Sequence, residues 1–84
     1  DKTTAGFSAT FLGAYLDICP DDAARQLDYA RYLLLDVMET GKDRRANLLR
    51  ARKAATLSSI LTTDPEMEKK ARATLSEVDK LLNR

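Results

Sequence analysis

Residues 23–38 read AARQLDYARYLLLDVM, and their apolar positions are too many and too widely spread for a helix that lies on a surface. At 100° per residue, the apolar side chains share one broad stripe, formed by Ala23, Leu27, Ala30, Leu34, Val37 and Met38 and widened by Tyr29 and Leu33. The opposite face carries the charged residues Arg25, Asp28, Asp36 and Glu39. Because a helix that is apolar over most of its circumference is normally packed by several neighbours, we expect this one to lie at the centre of the fold.

The composition of the whole chain indicates a small helical protein. Its 84 residues are 44% hydrophobic and 32% charged, with only three Gly and two Pro. This length predicts a single helical domain over residues 1–84. The sequence starts at Asp1 and has no initiating Met, which is compatible with a domain excised from a longer chain.

Apolar periodicity and capping residues predict four helices, at about 5–18, 21–40, 44–61 and 65–82. In the first helix the apolar residues repeat at i, i+4, i+7 and i+11, as Phe7, Phe11, Ala14 and Ile18. This repeat predicts a first helix that is mostly buried. Gly13 lies inside it and predicts a close crossing with another helix, because Gly otherwise costs about 1 kcal/mol relative to Ala in a helix.

The helix ends are marked by residues with strong backbone preferences. Pro20 suits a first helical position and is followed by two acidic residues, so we expect the second helix to start there with Asp21 and Asp22 in its first turn. Gly41 can adopt the left-handed conformation that ends a helix. Asp43 and Asp64 are the predicted N-caps of the third and fourth helices, with Pro65 as the first residue of the fourth.

Short turns between four helices require consecutive helices to be antiparallel, and two arrangements satisfy this requirement. One is an up-down four-helix bundle. The other is a pair of stacked helical hairpins, suggested by a repeat in which Ala9, Leu12, Leu16 and Pro20 recur 45 positions later as Ala54, Leu57, Leu61 and Pro65.

The residues that most enzymes depend on are scarce in this sequence. It has no His, and Cys19 is its single cysteine, so neither a catalytic triad nor an intrachain disulfide can form. The acidic residues near Asp21 and Asp64 are explained by helix starts, and we expect no metal site and no cofactor. No apolar run approaches the ~20 residues that cross a bilayer. These features predict a soluble, non-enzymatic protein without a small-molecule substrate, and the lone cysteine favours a reducing intracellular compartment.

Positive charge is concentrated in one segment, although the net charge of the chain is only +1. Residues 42–53 hold six basic side chains and one acidic one, Asp43, which gives a local charge of +5. Their candidate contacts are the phosphates of a nucleic acid or the carboxylates of an acidic partner, and the residues concerned are Arg44, Arg45, Arg50, Arg52 and Lys53. The alternative is a solvated face on which the arginines pair with Asp28, Asp36 and Glu39 of the second helix.

Large apolar side chains that project from a charged face predict binding to a protein. Tyr32 and Leu35 project in this way, and Tyr29 and Arg31 beside them are of residue types enriched at interaction hot spots. Phe7, Phe11 and Tyr15 also crowd the first helix. The sequence therefore predicts an interaction module or adaptor that binds a protein partner or forms a homo-oligomer, with nucleic-acid binding as the alternative function.

Overall fold

The computed structural model describes residues 4–83, which form four α-helices joined by short turns. The helices are α1 (Thr4–Ile18), α2 (Ala23–Thr40), α3 (Arg44–Leu61) and α4 (Pro65–Leu82). The predicted all-α class and the four helices are confirmed, with the predicted bounds of α3 and α4 matched to the residue. The predicted start of the second helix is two residues too early.

The start of α2 is determined by an aspartate rather than by the proline before it. Asp22 is the N-cap, and its Oδ1 accepts a hydrogen bond from the backbone N–H of Arg25 at 3.1 Å. Pro20 lies in the preceding turn, where its carbonyl accepts a hydrogen bond from Gln26 Nε2 at 2.9 Å. The prediction of Pro20 as the first helical residue is wrong because a carboxylate can satisfy a free N–H of the first turn and proline cannot.

The other helix ends agree with the local signals. Gly41 has φ +67° and donates its N–H to the carbonyl of Val37 at 2.8 Å, as a left-handed C-terminal residue does. Asp64 Oδ1 accepts from the N–H of Glu66 at 3.0 Å, and Pro65 is the first residue of α4. Asp43 is the N-cap of α3 but has φ 48° and makes no side-chain capping bond, so its position is confirmed and its capping hydrogen bond is not.

Consecutive helices pack as antiparallel neighbours in a compact four-helix bundle. Gly6 of α1 faces Asp36 of α2, and Gly13 of α1 faces Tyr29 of α2. Moving seven residues toward the C-terminus of α1 therefore moves seven residues toward the N-terminus of α2, so the two helices are antiparallel. The close crossing predicted at Gly13 is confirmed, since a Cβ placed there would lie 3.3 Å from the Tyr29 hydroxyl. Among residues 4–83, no Cα of α1 lies within 8 Å of a Cα of α3 or α4, whereas α2 contacts all three other helices.

The core is built mainly from α2 and α3, with one residue each from α1 and α4. It comprises Ala9, Ala30, Leu33, Leu34, Val37, Leu48, Ala51, Ala54, Ala55 and Val78. The alanines let the helix backbones approach closely, and Ala30, Ala51 and Ala55 have no exposed surface. The central position of α2 is confirmed. Met38 is an exception, because it lies near the end of the helix and is 64% exposed rather than part of the buried stripe.

The prediction of a mostly buried first helix is wrong. α1 packs against α2 with the face that carries its two glycines, Gly6 and Gly13, and its buried residues are Ala5, Ala9 and Leu16. The predicted core residues lie on the opposite face, where Phe7, Phe11 and Ile18 are 81%, 74% and 82% exposed and Ala14 is exposed as well. A helix with a single neighbour can bury only one face, and the face with Gly and Ala allows the closer approach of the two backbones.

Candidate protein-binding groove between α2 and α4

A groove of about 640 Å³ runs between α2 and α4. Both helices are antiparallel to α3, so they are parallel to each other. The groove, called here the α2/α4 groove, is lined by Asp28, Arg31, Tyr32, Leu34, Leu35, Met38, Lys70, Ala73, Thr74 and Glu77.

The α2 wall of the groove is apolar along successive turns of the helix. Tyr32, Leu35 and Met38 follow one another at intervals of three residues and are 38%, 44% and 64% exposed. Leu34 is buried and belongs to the core beneath them. This wall therefore offers three large apolar side chains to a partner while it remains anchored to the core.

The α4 wall is formed by one face of that helix. Lys70, Ala73, Thr74 and Glu77 stand at i, i+3, i+4 and i+7, the spacing of a single helical stripe. Thr74 Oγ1 donates a hydrogen bond to the carbonyl of Lys70 at 2.9 Å, so this hydroxyl is already satisfied. Two acidic side chains, Asp28 and Glu77, and two basic ones, Arg31 and Lys70, line the groove together with the apolar residues.

The structure brings together three of the four predicted partner-binding residues. Arg31, Tyr32 and Leu35 all line the α2/α4 groove. Tyr29 is on another face of α2, where it packs against the core and against Gly13 of α1. The sequence analysis did not predict two parts of the groove. It placed Met38 in the core, and it did not identify the α4 wall. The only sequence signal for that wall is the i, i+3, i+4, i+7 spacing of its residues, and the sequence does not show which helix lies beside α4.

A second groove, of about 480 Å³, lies between α1, α2 and the start of α3. Its lining is more polar and includes Tyr29, Asp36, Lys42, Asn47 and Arg50. Several of these groups bond to one another: Arg50 Nη1 donates to Asn47 Oδ1 at 2.9 Å, and Asn47 Nδ2 donates to the carbonyl of Lys42 at 3.1 Å. These contacts leave fewer polar groups of this groove available to a ligand.

The five basic residues of α3 are exposed but do not form one surface. At 100° per residue they spread over about 240° of the helix circumference. Arg44 Nη2 donates to the carbonyl of Leu81 at 3.0 Å, and Arg52 Nη1 pairs with Asp79 Oδ1 at 3.8 Å, so both reach toward α4. Arg50 faces the second groove instead, and the remaining two members of the set are the exposed Arg45 and Lys53.

The predicted pairing of these arginines with acids of α2 is wrong. Arg52 pairs with Asp79 of α4, and Asp28 pairs with Arg25 of its own helix at 3.1 Å. The first turn of α3 lies beside the last turn of α4, where free carbonyl groups and the negative end of the helix dipole attract Arg44.

Three further features of residues 4–83 bear on the kind of protein this is. No three Cys, Asp or Glu side chains in this range are grouped so that they could hold a metal ion. Cys19 is a free, partly buried thiol. None of the helices within 4–83 combines the length and the apolar character that crossing a membrane requires.

Fold and groove together define a small four-helix bundle with an apolar groove between two parallel helices. Comparisons with models of protein families, with curated proteins and with solved structures found no match to this chain. The functional argument therefore depends on the geometry and chemistry of the groove.

Proposed function

We propose that this domain is a non-enzymatic protein-interaction module that binds an amphipathic helix of a protein partner in the α2/α4 groove. The observation that carries the proposal is the row of exposed apolar side chains, Tyr32, Leu35 and Met38, along one wall of a concave surface. Grooves between helices commonly receive the apolar face of a helix, with anchors at i, i+3 or i+4, and i+7.

The charges around the groove specify the kind of helix that fits. Asp28 and Glu77 attract cations, whereas Arg31 and Lys70 attract anions, and all four line the groove. A complementary helix therefore has an apolar stripe flanked by side chains of both signs. Complementary charges at the rim contribute more to the association rate and to specificity than to affinity. Tyr32 and Arg31 are of the types that most often dominate binding energy.

The test compares two double variants with a helical peptide as the probe. Peptides of helical propensity are selected from a displayed library on the 84-residue domain, and the affinity of an enriched peptide is measured by fluorescence anisotropy. Tyr32→Ser with Leu35→Ser should weaken binding by roughly tenfold or more, because each truncated anchor costs about 1 kcal/mol or more. The matched control is Leu49→Ser with Ile60→Ser, which changes two exposed apolar residues outside both grooves and should change affinity less than about twofold.

Circular dichroism of both double variants separates loss of binding from loss of fold. Equal affinity of the two variants for the peptide would place the binding site outside the groove. Unfolding of the Tyr32→Ser, Leu35→Ser variant alone would show that these residues stabilise the bundle, and the proposal would then be wrong for them.

The second proposal is nucleic-acid binding through the start of α3, supported by the local charge of +5 and by the exposure of Arg45 and Lys53. The contacts of Arg44 and Arg52 with α4 weigh against it, since phosphate binding would compete with them. Binding of single- and double-stranded oligonucleotides should fall steeply with salt if this proposal holds. No retardation at low salt would refute it and leave the groove as the site.

A further inference from the structure

The outer face of α1 has the residue spacing of a coiled-coil seam. Its exposed residues are separated by alternating steps of three and four positions, as Thr4, Phe7, Phe11, Ala14 and Ile18. Such a repeat is the a and d pattern by which one helix packs its side chains between those of another. The opposite face, with Ala5, Ala9 and Leu16, already contacts α2. α1 therefore has two packing faces, of which the bundle occupies one.

The seam is accessible to another molecule along its whole length. Within residues 4–83, α1 packs on α2 alone, and no backbone of α3 or α4 approaches it. The seam also lies on a different element from the walls of the α2/α4 groove, so a molecule bound to one does not occupy the other. Exposed, contiguous apolar patches of this kind mark interaction surfaces.

We infer that the seam is a homodimer interface, in which α1 of one copy packs antiparallel to α1 of a second copy around a twofold axis. Side-chain volume favours this arrangement. With the axis between residues 12 and 13, Phe11 faces Ala14 of the second copy, so that a large side chain meets a small one, and Phe7 faces Ile18. A parallel pair in register would instead set Phe11 against Phe11 and leave a gap between the two Ala14 methyl groups.

The charge of the seam also favours a second copy as the occupant. The only charged residue of α1 is Asp17. In the antiparallel pair the two Asp17 side chains lie at opposite ends, each on the same side of the seam as Thr10 of the other copy, whereas a parallel pair would place both carboxylates at the same end. The seam offers no charge to select a basic or acidic partner helix, and a neutral, self-complementary surface suits an isologous dimer.

The exposed area is sufficient for a weak specific dimer. Multiplying the accessible surface area of a large apolar side chain by the exposed fraction of each residue gives roughly 500 Å² of exposed surface for Phe7, Phe11, Tyr15 and Ile18 together. Two copies would therefore bury about 1,000 Å² between them. This total is at the lower limit of specific interfaces, so we expect a dissociation constant of order micromolar.

The first experiment is sedimentation velocity of the 84-residue chain from about 1 µM to about 1 mM. A reversible monomer–dimer equilibrium should appear, and it should persist at about 500 mM salt because the contact is apolar. Phe11→Glu should weaken dimerisation at least about 100-fold, since it places a carboxylate in the seam. Phe7→Ser is a second, milder variant in case Phe11→Glu fails to fold.

The matched control for these variants is Ile60→Glu, which adds the same charge at another exposed apolar residue, in α3, and should leave dimerisation unchanged. A chain that stays monomeric throughout the concentration range would overturn the proposal. A dimer that is insensitive to both seam variants, or equally sensitive to Ile60→Glu, would also overturn it.

Cross-linking tests the direction of the two helices. Thr10→Cys and Asp17→Cys, two exposed positions on the same side of the seam, are made separately in a Cys19→Ser background, mixed and oxidised. The antiparallel arrangement predicts that the mixed disulfide predominates over both symmetric ones. A mixed disulfide that does not predominate would show that the helices are not antiparallel in this register and would overturn this geometry.

Discussion

The hydroxyl of Tyr15 donates a 2.8 Å hydrogen bond to Asp22 Oδ2 across the turn that joins α1 to α2. The other carboxylate oxygen of Asp22 accepts the backbone N–H of Arg25, so one side chain both caps α2 and holds the last turn of α1. The hydrogen bond to Asp22, with a smaller contribution from the nearby Cys19 thiol, raises the pKa of Tyr15 from 10.0 to about 12. The bonds from Tyr15 and from the Arg25 N–H lower the pKa of Asp22 below its ordinary 3.8.

These shifts predict how the stability of the bundle depends on pH. The folded-state pKa of Asp22 is lowered, so its contribution is present above pH 3.8 and is lost as the pH falls through the folded-state value. The pKa of Tyr15 is raised, so its contribution is complete below pH 10.0 and is lost as the pH rises toward 12. The difference in melting temperature between wild type and Tyr15→Phe should therefore be constant near neutral pH and shrink at both extremes.

Absorbance at the phenolate band gives an independent check on Tyr15. The titration step near pH 12 should be absent from Tyr15→Phe and retained in Tyr32→Phe. Its persistence in Tyr15→Phe would show that another group is responsible, and the account of the α1–α2 turn would then be incorrect.

Substitution of Gly41 should destabilise the bundle through the backbone alone. Its φ is +67°, and a Cβ placed there would meet no atom within 4 Å. Gly41→Ala should lower the free energy of unfolding by about 1–2 kcal/mol, the cost of a left-handed conformation for an L-residue with a Cβ. Gly41→Asn should cost less, because Asn tolerates this conformation. Urea unfolding measures both, and equal stability of Gly41→Ala and wild type would contradict the prediction.

The hydroxyl of Ser58 links α3 to the start of α2. Ser58 has no exposed surface, and its Oγ donates to the carbonyl of Ala23 at 2.9 Å. Ser58→Ala should lower the free energy of unfolding by about 1 kcal/mol, since it removes a buried hydrogen bond. The neighbouring Ser59→Ala serves as the control and should have an effect within about 0.5 kcal/mol. Similar losses for both variants would show that the bond has no special role.

A larger side chain at the alanine contact between helices should be poorly tolerated. Ala51 has no exposed surface and belongs to the core, whereas Ala46 in the same helix is exposed. Ala51→Leu should cost about 1–3 kcal/mol or more because it overpacks the core, while Ala46→Leu should change stability by less than about 0.5 kcal/mol. Thermal unfolding followed by circular dichroism distinguishes the two, and a neutral Ala51→Leu would mean that α3 can shift away from its neighbours.

The α2/α4 groove was only partly predictable. Tyr32 and Leu35 were identified because they interrupt a charged face of α2, a pattern visible within one helix. Met38 continues the apolar stripe of the same helix and looks like a core residue in the sequence, yet no helix covers it. Lys70 and Glu77 became groove residues only through the position of α4, which no local pattern specifies.

The sequence by itself determined the four helices and most of their ends, because a capping aspartate, a left-handed glycine or a proline at the first helical position acts through backbone atoms a few residues away. Tertiary structure alone decided which face of α1 is buried. Phe7, Phe11 and Ile18 have the stronger apolar repeat, but the glycine and alanine face allows the closer contact with α2. Tertiary structure also placed the basic residues of α3 on different sides of that helix. Arg44 donates a hydrogen bond to the carbonyl of Leu81 in α4, a residue distant in the chain, whereas Arg50 faces the second groove. Burial and pairing depend on such distant neighbours, and for this reason local periodicity did not predict them.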